Sequence, residues 1–395
     1  MSDSKYVEFF NLGDIPLVNN LTNSFDDSIN CDRYKLAVGI SDTGLVRLTD
    51  VVDTRLMFDK YLYLSGTSKP FIDHCKSMIK YLKNHISINE NDTIVDIGGN
   101  DATLLMNFKN EIDCKVRLVN IDPSDVVSLI KDDDIEIINS YFNTEAVNKV
   151  NSKSKIIVST NVFQHLYDIE SFILNIKNLL TNDGIWCLEF PYWYRSMKTL
   201  QFDQIYHEHI YYYNVTPLRN ILQKCGLRIS NVEYQDIHGG SLRVLVCHQE
   251  SSYKTDQSLK YYIDLESEIN EDFYKNWYEK VNTHVIYCKD QILKLSQDSK
   301  IVVFGAAAKG CVFLNYMGID YNNLSYIVDD TDIKQGKYMP GTGLKIYDRS
   351  RIKEDMPDYI LILAHNFKDF IINSLKDYGY NNKFIVCIPD FEIID

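Results

Sequence analysis

The chain has 395 residues, 45% of them hydrophobic, which is enough to build two or three cores rather than one. Its 41 Lys plus Arg stand against 55 Asp plus Glu, a formal charge of -14, so no positive field gathers phosphate backbones and nucleic acid is not an expected partner. Nine scattered cysteines without a C-x-x-C pair, no leader pattern at the N-terminus and no apolar run near the ~20 residues of a membrane span lead us to expect a reduced, cytoplasmic protein away from membranes, with no metal.

Residues 1–70 carry short apolar stretches such as Leu45-Val46-Arg47-Leu48 broken by Gly, Pro and Asn, and predict a small irregular or β-rich cap. Over residues 70–86, Phe71, Cys75, Met78, Ile79 and Leu82 recur at helical spacing and predict an amphipathic helix. Strand-like runs follow at 93–97, 115–121, 135–138, 155–159 and 184–190, separated by helical stretches including 103–110 and 169–180, with a late strand at 242–247. Strands alternating with helices predict a parallel sheet covered on both faces. The charged stretch 257–297 has Tyr, Leu, Ile and Trp at helical intervals and reads as a long helix or helix pair. A second alternating unit begins at 301–304 and continues through 324–328, 359–363 and 383–388. The expected domains are a cap (1–70), a main α/β domain (71–254), a helical connector (255–298) and a smaller α/β domain (299–395).

The strand ending at Asp96 runs into Gly98, Gly99, Asn100 and Asp101 before a helix, which sets small residues and backbone amides where a nucleotide approaches closely. Asp122 closes the next strand, 26 residues after Asp96, and suits the two hydroxyls of an adenosine ribose. The G-x-G-x-x-G of dinucleotide enzymes is missing. The expected fold is therefore a Rossmann-like methyltransferase domain binding S-adenosylmethionine (SAM). Asn161, after another strand, faces the methionyl and sulfonium end in this reading, and Phe142 covers the adenine; for both, an ordinary loop or core role is as good a description.

Five blocks stand out: 96–105, 161–165, Glu189-Phe190-Pro191-Tyr192, 202–209 and 238–243. Together with Asn11-Leu12-Gly13, residues 61–68 and the tail motifs around Gly305, Asp329 and Gly341, they resemble the sugar C-methyltransferases of deoxysugar biosynthesis. The resemblance runs over nearly the whole chain and is carried most specifically by Tyr206-His207-Glu208-His209 and His238-Gly239-Gly240-Ser241-Leu242-Arg243. It implies methylation at C-3 of a nucleotide-linked 4-keto-6-deoxysugar, with SAM as cofactor and the nucleotide sugar as partner of a monomer or weak homo-oligomer. It also implies His209 as base, Tyr206 and His165 as donors to the carbonyl oxygen, and Tyr63 near the sugar.

Three departures mark this chain. The cysteines that hold a structural zinc in the family are missing before Leu12 and around 38–44. Ala102 stands where the cofactor loop usually has Gly, which is tolerable if the residue is helical in φ. Ala364-His365 precede Asn366-Phe367 where Pro-Trp is usual.

Removing a proton beside a ketone needs a base and a donor for the enolate oxygen, and a neutral imidazole serves as the base. Tyr206, Glu208 and His209 fall within one helical turn, so Glu208 is expected to orient an imidazole. His207 and His209, two residues apart, chelate a metal poorly. Arg243 has the forked donors for a diphosphate, although a surface ion pair suits it nearly as well. Lys309 at a helix N-terminus is a second phosphate candidate, and His207 and His238 are expected on the substrate side. Transfer of the methyl group to oxygen or nitrogen, or binding without catalysis, remains open on these residues alone.

Overall fold

A computed structural model describes residues 5–53, 55–58, 66 and 69–395. Tyr63 and most of the 61–68 block lie outside the described residues. Three sheets organise the described residues. The first begins with β1 (Val7–Pro16), β2 (Arg33–Ile40) and β3 (Val46–Leu48), paired antiparallel, so the cap is more regular than its broken sequence suggests. The bulges between Glu8 and Phe10 and between Asn11 and Asp14 disturb the alternation by which a strand is recognised.

The second sheet holds β4 (Thr93–Ile97), β5 (Arg117–Ile121), β6 (Ile135–Ile138), β7 (Ser154–Thr160) and β8 (Leu180–Pro191). After β9 (Tyr211–Tyr212) it is completed by β10 (Leu227–Gln235) and β11 (Ser241–His248), in the order β10-β11-β8-β7-β4-β5-β6. Only β11 runs antiparallel to its neighbours. Every residue of β4 is buried, as a central parallel strand covered on both faces requires. The chain reverses direction of growth at β4, between β5 and β7, and this crevice at the strands' C-terminal ends is where open α/β sheets bind ligands.

Strand β9 does not join that sheet. Tyr211 and Tyr212 pair with Arg47 and Val46 of β3, so the segment after His209 is sewn into the N-terminal sheet. Helix Lys69–His85 buries Cys75, Met78, Ile79 and Leu82 on one stripe, as the periodicity predicts. The connector is a helix pair, Gln257–Glu266 and Glu271–Leu295. Asn270 caps the second helix through Phe273 N. Its buried stripe of Tyr274, Trp277, Val281, Val285, Cys288 and Ile292 packs with Phe10, Leu12 and Val38 of the cap and with the C-terminal unit in one continuous core.

The third sheet contains β12 (Ile301–Phe304), β13 (Ile327–Val328), β14 (Ile346–Tyr347), β15 (Tyr359–Ile362), β16 (Lys383–Val386) and β17 (Glu392–Ile394), in the order β14-β13-β12-β15-β16-β17, parallel except for β17. The whole is a mixed α/β architecture with a Rossmann-like main unit and a smaller α/β unit. Among the described residues, no group of three or more His, Cys, Asp or Glu is placed to hold a metal ion, and no helix is long and apolar enough to cross a membrane.

Candidate active site

The loop after β4 turns on backbone that few side chains tolerate. Gly98 has φ 68°, and a Cβ there would stand 2.3 Å from Val162 Cγ2. A Cβ at Gly99 would meet Asn120 Oδ1 at 1.9 Å, so position 99 admits only glycine. Asn100 follows at φ 52°, and its amide donates to Asp122 Oδ2 at 2.9 Å, which ties the loop to the end of β5. Asp101 accepts from Thr103 N and Oγ1 and from Gly66 N. Ala102 corrects the expectation: at φ 59° and ψ 22° it is left-handed, not helical, and fully buried. A Cβ in that region carries roughly 1–2 kcal/mol of strain, which explains why glycine suits the position.

Three carboxylates converge on this loop. Burial, then the neighbouring Asp122 and Asp101, hold the Asp96 carboxyl well above its ordinary value. A ligand that brings positive charge relieves this repulsion, and SAM carries both a sulfonium and an ammonium. Asp122 Oδ1 is taken by Ser124 N and Oγ, leaving its acceptor capacity mainly at Oδ2. Asn120 Oδ1 is buried and has no hydrogen-bond partner. Asn161 stands at φ 56° beyond β7, and Phe142 packs edge-on against Phe172 at 4.9 Å, half-buried beside the same sheet end. Acidic loop, glycine cradle and orphan acceptor together fit SAM.

The second cluster grows from the segment between the helix Trp193–Lys198 and β9. His209 Nδ1 faces Gln204 O at 3.0 Å, and its Nε2 lies 2.6 Å from the Tyr206 hydroxyl. A carbonyl only accepts, so Nδ1 carries the proton and Nε2 offers its lone pair to Tyr206. Burial, then the nearby His165, keep the His209 imidazole well below its ordinary value, so it is neutral. His165 lies ring to ring with it at 5.0 Å, and burial lowers its pKa to about 4.

Glu208 does not orient an imidazole through its carboxylate. Its main-chain carbonyl faces His165 Nδ1 at 2.6 Å, while its side chain accepts from Asn19 Nδ2 of the cap and burial raises it to about 7. The backbone does what the acid was expected to do.

Two substrate-side expectations are corrected. Arg243 is completely buried in a sheet-spanning ion pair: Nε bonds Glu189 Oε1 at 2.5 Å, Nη1 reaches Glu233, and Glu189 also meets His74 Nε2 at 2.6 Å. No fork is presented to a ligand, because β11 points this side chain across to β8. His207 is also fully buried, and its Nε2 faces Tyr34 O of β2 at 3.2 Å; being two residues from His209, it faces the opposite way, into the cap.

Lys309, at the start of the helix Ala308–Met317, does reach the cluster. Its Nζ donates to His238 O at 3.2 Å, and burial pushes it down to about 8. Burial, then Lys309, lower His238 to about 4. The sequence reading missed Gln204, Glu189 and the buried Asp203–His365 pair (3.0 Å). All but His365 lie inside blocks already singled out, and the signal available was a buried polar side chain on a short apolar segment.

The fold and this site define a SAM-dependent methyltransferase. Residues 55–232 match the family model described as "Methyltransferase domain", and residues 236–389 match "C-methyltransferase C-terminal domain". The chain is 26% identical over 402 residues to the C-methyltransferase NovU of Streptomyces niveus, covering 98% of this chain and 94% of that protein. Among solved structures, it is similar to a chain of the complex between the Haloferax volcanii Trm112 methyltransferase activator and a putative methyltransferase (14% identity, TM-score 0.37, 46% of this chain and 94% of that one). It is also similar to the mitomycin 7-O-methyltransferase MmcR (13%, TM-score 0.37, 46% and 55%). In both family models and in NovU the chain is similar to SAM-dependent C-methyltransferases.

Proposed function

We propose that this enzyme methylates the carbon next to the ketone, C-3, of a nucleotide-linked 4-keto-6-deoxysugar, with His209 as the base. The observation that carries the reading is the 2.6 Å contact between Tyr206 Oη and His209 Nε2, with Nδ1 pinned by Gln204 O. A neutral imidazole of fixed tautomer, capped by a movable hydroxyl, is a base held in readiness. On substrate arrival, the ketone oxygen takes the Tyr206 hydroxyl as donor, and the Nε2 lone pair is released toward the adjacent C–H. The proton passes to Nε2, its electron pair becomes an enolate, and Tyr206 holds the charge on oxygen, while neutral His165 gives its one ring proton to Glu208 O instead of the substrate. SAM, when bound, supplies an electrophilic methyl group. Lys309 replaces Arg243 as the cation for the diphosphate, with His238 beside it. Tyr63 keeps the role near the sugar that the family resemblance gives it.

The test is exchange at carbon. In D2O with S-adenosylhomocysteine bound, the enzyme is expected to wash deuterium into C-3 of a nucleotide-linked 4-keto-6-deoxysugar, and His209→Asn to abolish it. Methyl transfer to the sugar without any exchange at carbon points to an oxygen or nitrogen acceptor and ends this reading.

A further inference from the structure

Tyr206, His209, His238 and Lys309 come from three separate parts of the chain, and one residue, Gln204, joins them through its main chain on one side and its side chain on the other. Gln204 is 2% exposed, in the turn Phe202–Gln204. Its main-chain carbonyl accepts from His209 Nδ1 at 3.0 Å, and its side-chain Nε2 donates to His238 O at 2.9 Å and to Gln201 Oε1 at 3.3 Å. His238 O also takes Lys309 Nζ at 3.2 Å. Lys309 and the Gln204 side chain thus meet at His238 O, and the Gln204 main chain carries the link on to His209 and the Tyr206 hydroxyl. We infer that Gln204 is a positioning residue that couples the ammonium of the C-terminal unit to the ring plane and tautomer of His209.

The turn it holds cannot move cheaply. His238, Gly239 and Gly240 all have positive φ, and a Cβ on Gly239 would stand 2.1 Å from Gln201 Oε1. Gln201 Nε2 donates to Gly239 O at 2.8 Å, so two glutamines clamp neighbouring carbonyls of one strained turn. A displacement of Lys309 by a ligand pulls on His238 O, and the rigid turn passes it to the Gln204 amide rather than absorbing it. Glutamine is required by its donors: a carboxylate at this position would face the lone pairs of the His238 carbonyl, and an aliphatic side chain would leave that buried oxygen with Lys309 alone. The groups that face His209 electrostatically are His165, His238 and Lys309, and none of them is removed when Gln204 is changed.

That His209 is the base rests on the reading proposed above; that Gln204 positions it does not. The experiment is therefore read first without substrate. Long-range 1H–15N spectra of the histidine rings should show wild-type His209 as the Nδ1–H tautomer. In Gln204→Leu, which frees the turn carrying the Gln204 main-chain carbonyl, its Nδ1–H resonance should shift and broaden and its titration move further down, because that carbonyl raises it. Gln204→Met, unbranched and easily accommodated, serves if the leucine variant does not fold. In turnover, kcat is expected to fall about tenfold, as for one lost buried hydrogen bond, with the SAM dissociation constant within about twofold of wild type. His209 resonances and kcat both unchanged in a folded variant would overturn the inference. Moved resonances in an enzyme that never exchanges a carbon-bound proton would uphold it and remove the proposed chemistry instead.

Discussion

The Tyr206 hydroxyl and the His209 Nε2 lie 2.6 Å apart, and the hydroxyl is the donor because Gln204 O already holds the proton on Nδ1. This bond stabilises the neutral imidazole. Removing it in Tyr206→Phe should raise the His209 pKa and shift the acid limb of kcat/KM to higher pH, while kcat falls by about 10²-fold for loss of the enolate donor. A pH–rate profile checks both. An unmoved acid limb would separate the two residues functionally.

His209→Asn and Asp122→Ala should fail in different ways. The first removes the lone pair at Nε2 and is expected to abolish turnover with SAM affinity near wild type. The second removes the acceptor for the Asn100 amide and the candidate ribose contact, so SAM binding should weaken by roughly tenfold or more, about 1.4 kcal/mol. Isothermal titration with SAM distinguishes the two.

Arg243→Met is expected to cost about 3–5 kcal/mol of stability, because it leaves the Glu189 carboxylate buried with only His74 opposite. The double variant Arg243→Met/Glu189→Gln should recover part of that loss, since the uncompensated charge is gone. Denaturant unfolding measures this. If Arg243 served the diphosphate instead, the single variant would keep its stability and lose substrate.

Acid should loosen the fold below neutrality. His165 and His238 titrate near 4 in the native state, and burial lowers His207 and His209 as well, whereas unfolded imidazoles titrate near 6.5. Between about pH 4 and 6.5 the unfolded chain therefore binds more protons, and stability falls as pH falls. Glu208 acts in the opposite sense: its native value of about 7 exceeds that of the unfolded chain, so its contribution is present at low pH and is lost as pH rises through 7. Burial raises Asp96 and Glu266 in the same sense as Glu208, so four lowered histidines stand against three raised carboxyls, and denaturation midpoints should be lower at pH 5 than at pH 6. Glu208→Gln should steepen the fall, and a midpoint that rises on acidification would contradict this balance.

The elements built from unbroken apolar runs were legible. The strand predicted at 93–97 coincides with β4, and the helical stripe Cys75, Met78, Ile79 and Leu82 is buried as its spacing required. Strand β10 escaped notice because Arg228, Asn231, Glu233 and Gln235 break its alternation, while a register shift between Ile229 and Asn231 spoils the phase. The partners of β9 could not be read locally, because its pairing with β3 spans the chain. In the site, the residue types were visible and their directions were not. Arg243 and His207 carry the right groups, but alternation along a strand or short segment decides which face receives them, and the structure turns both inward, away from the site. Ala102 shows the same limit in the backbone: its identity favours helix, and the Gly99–Asn100 turn imposes a left-handed φ.

Ser28, near the start of the chain, is clasped by its far end: its hydroxyl donates to Met339 O, 311 residues on, and its carbonyl accepts from Gly341 N. Thr22 pairs with Tyr338 in the same place, while β3 holds β9 just beyond His209. During synthesis, the N-terminal strands therefore leave the ribosome long before their partners exist. Until residues 338–341 are added, Ser28 and Thr22 lack their partners, and until β9 is made, β3 keeps an open edge.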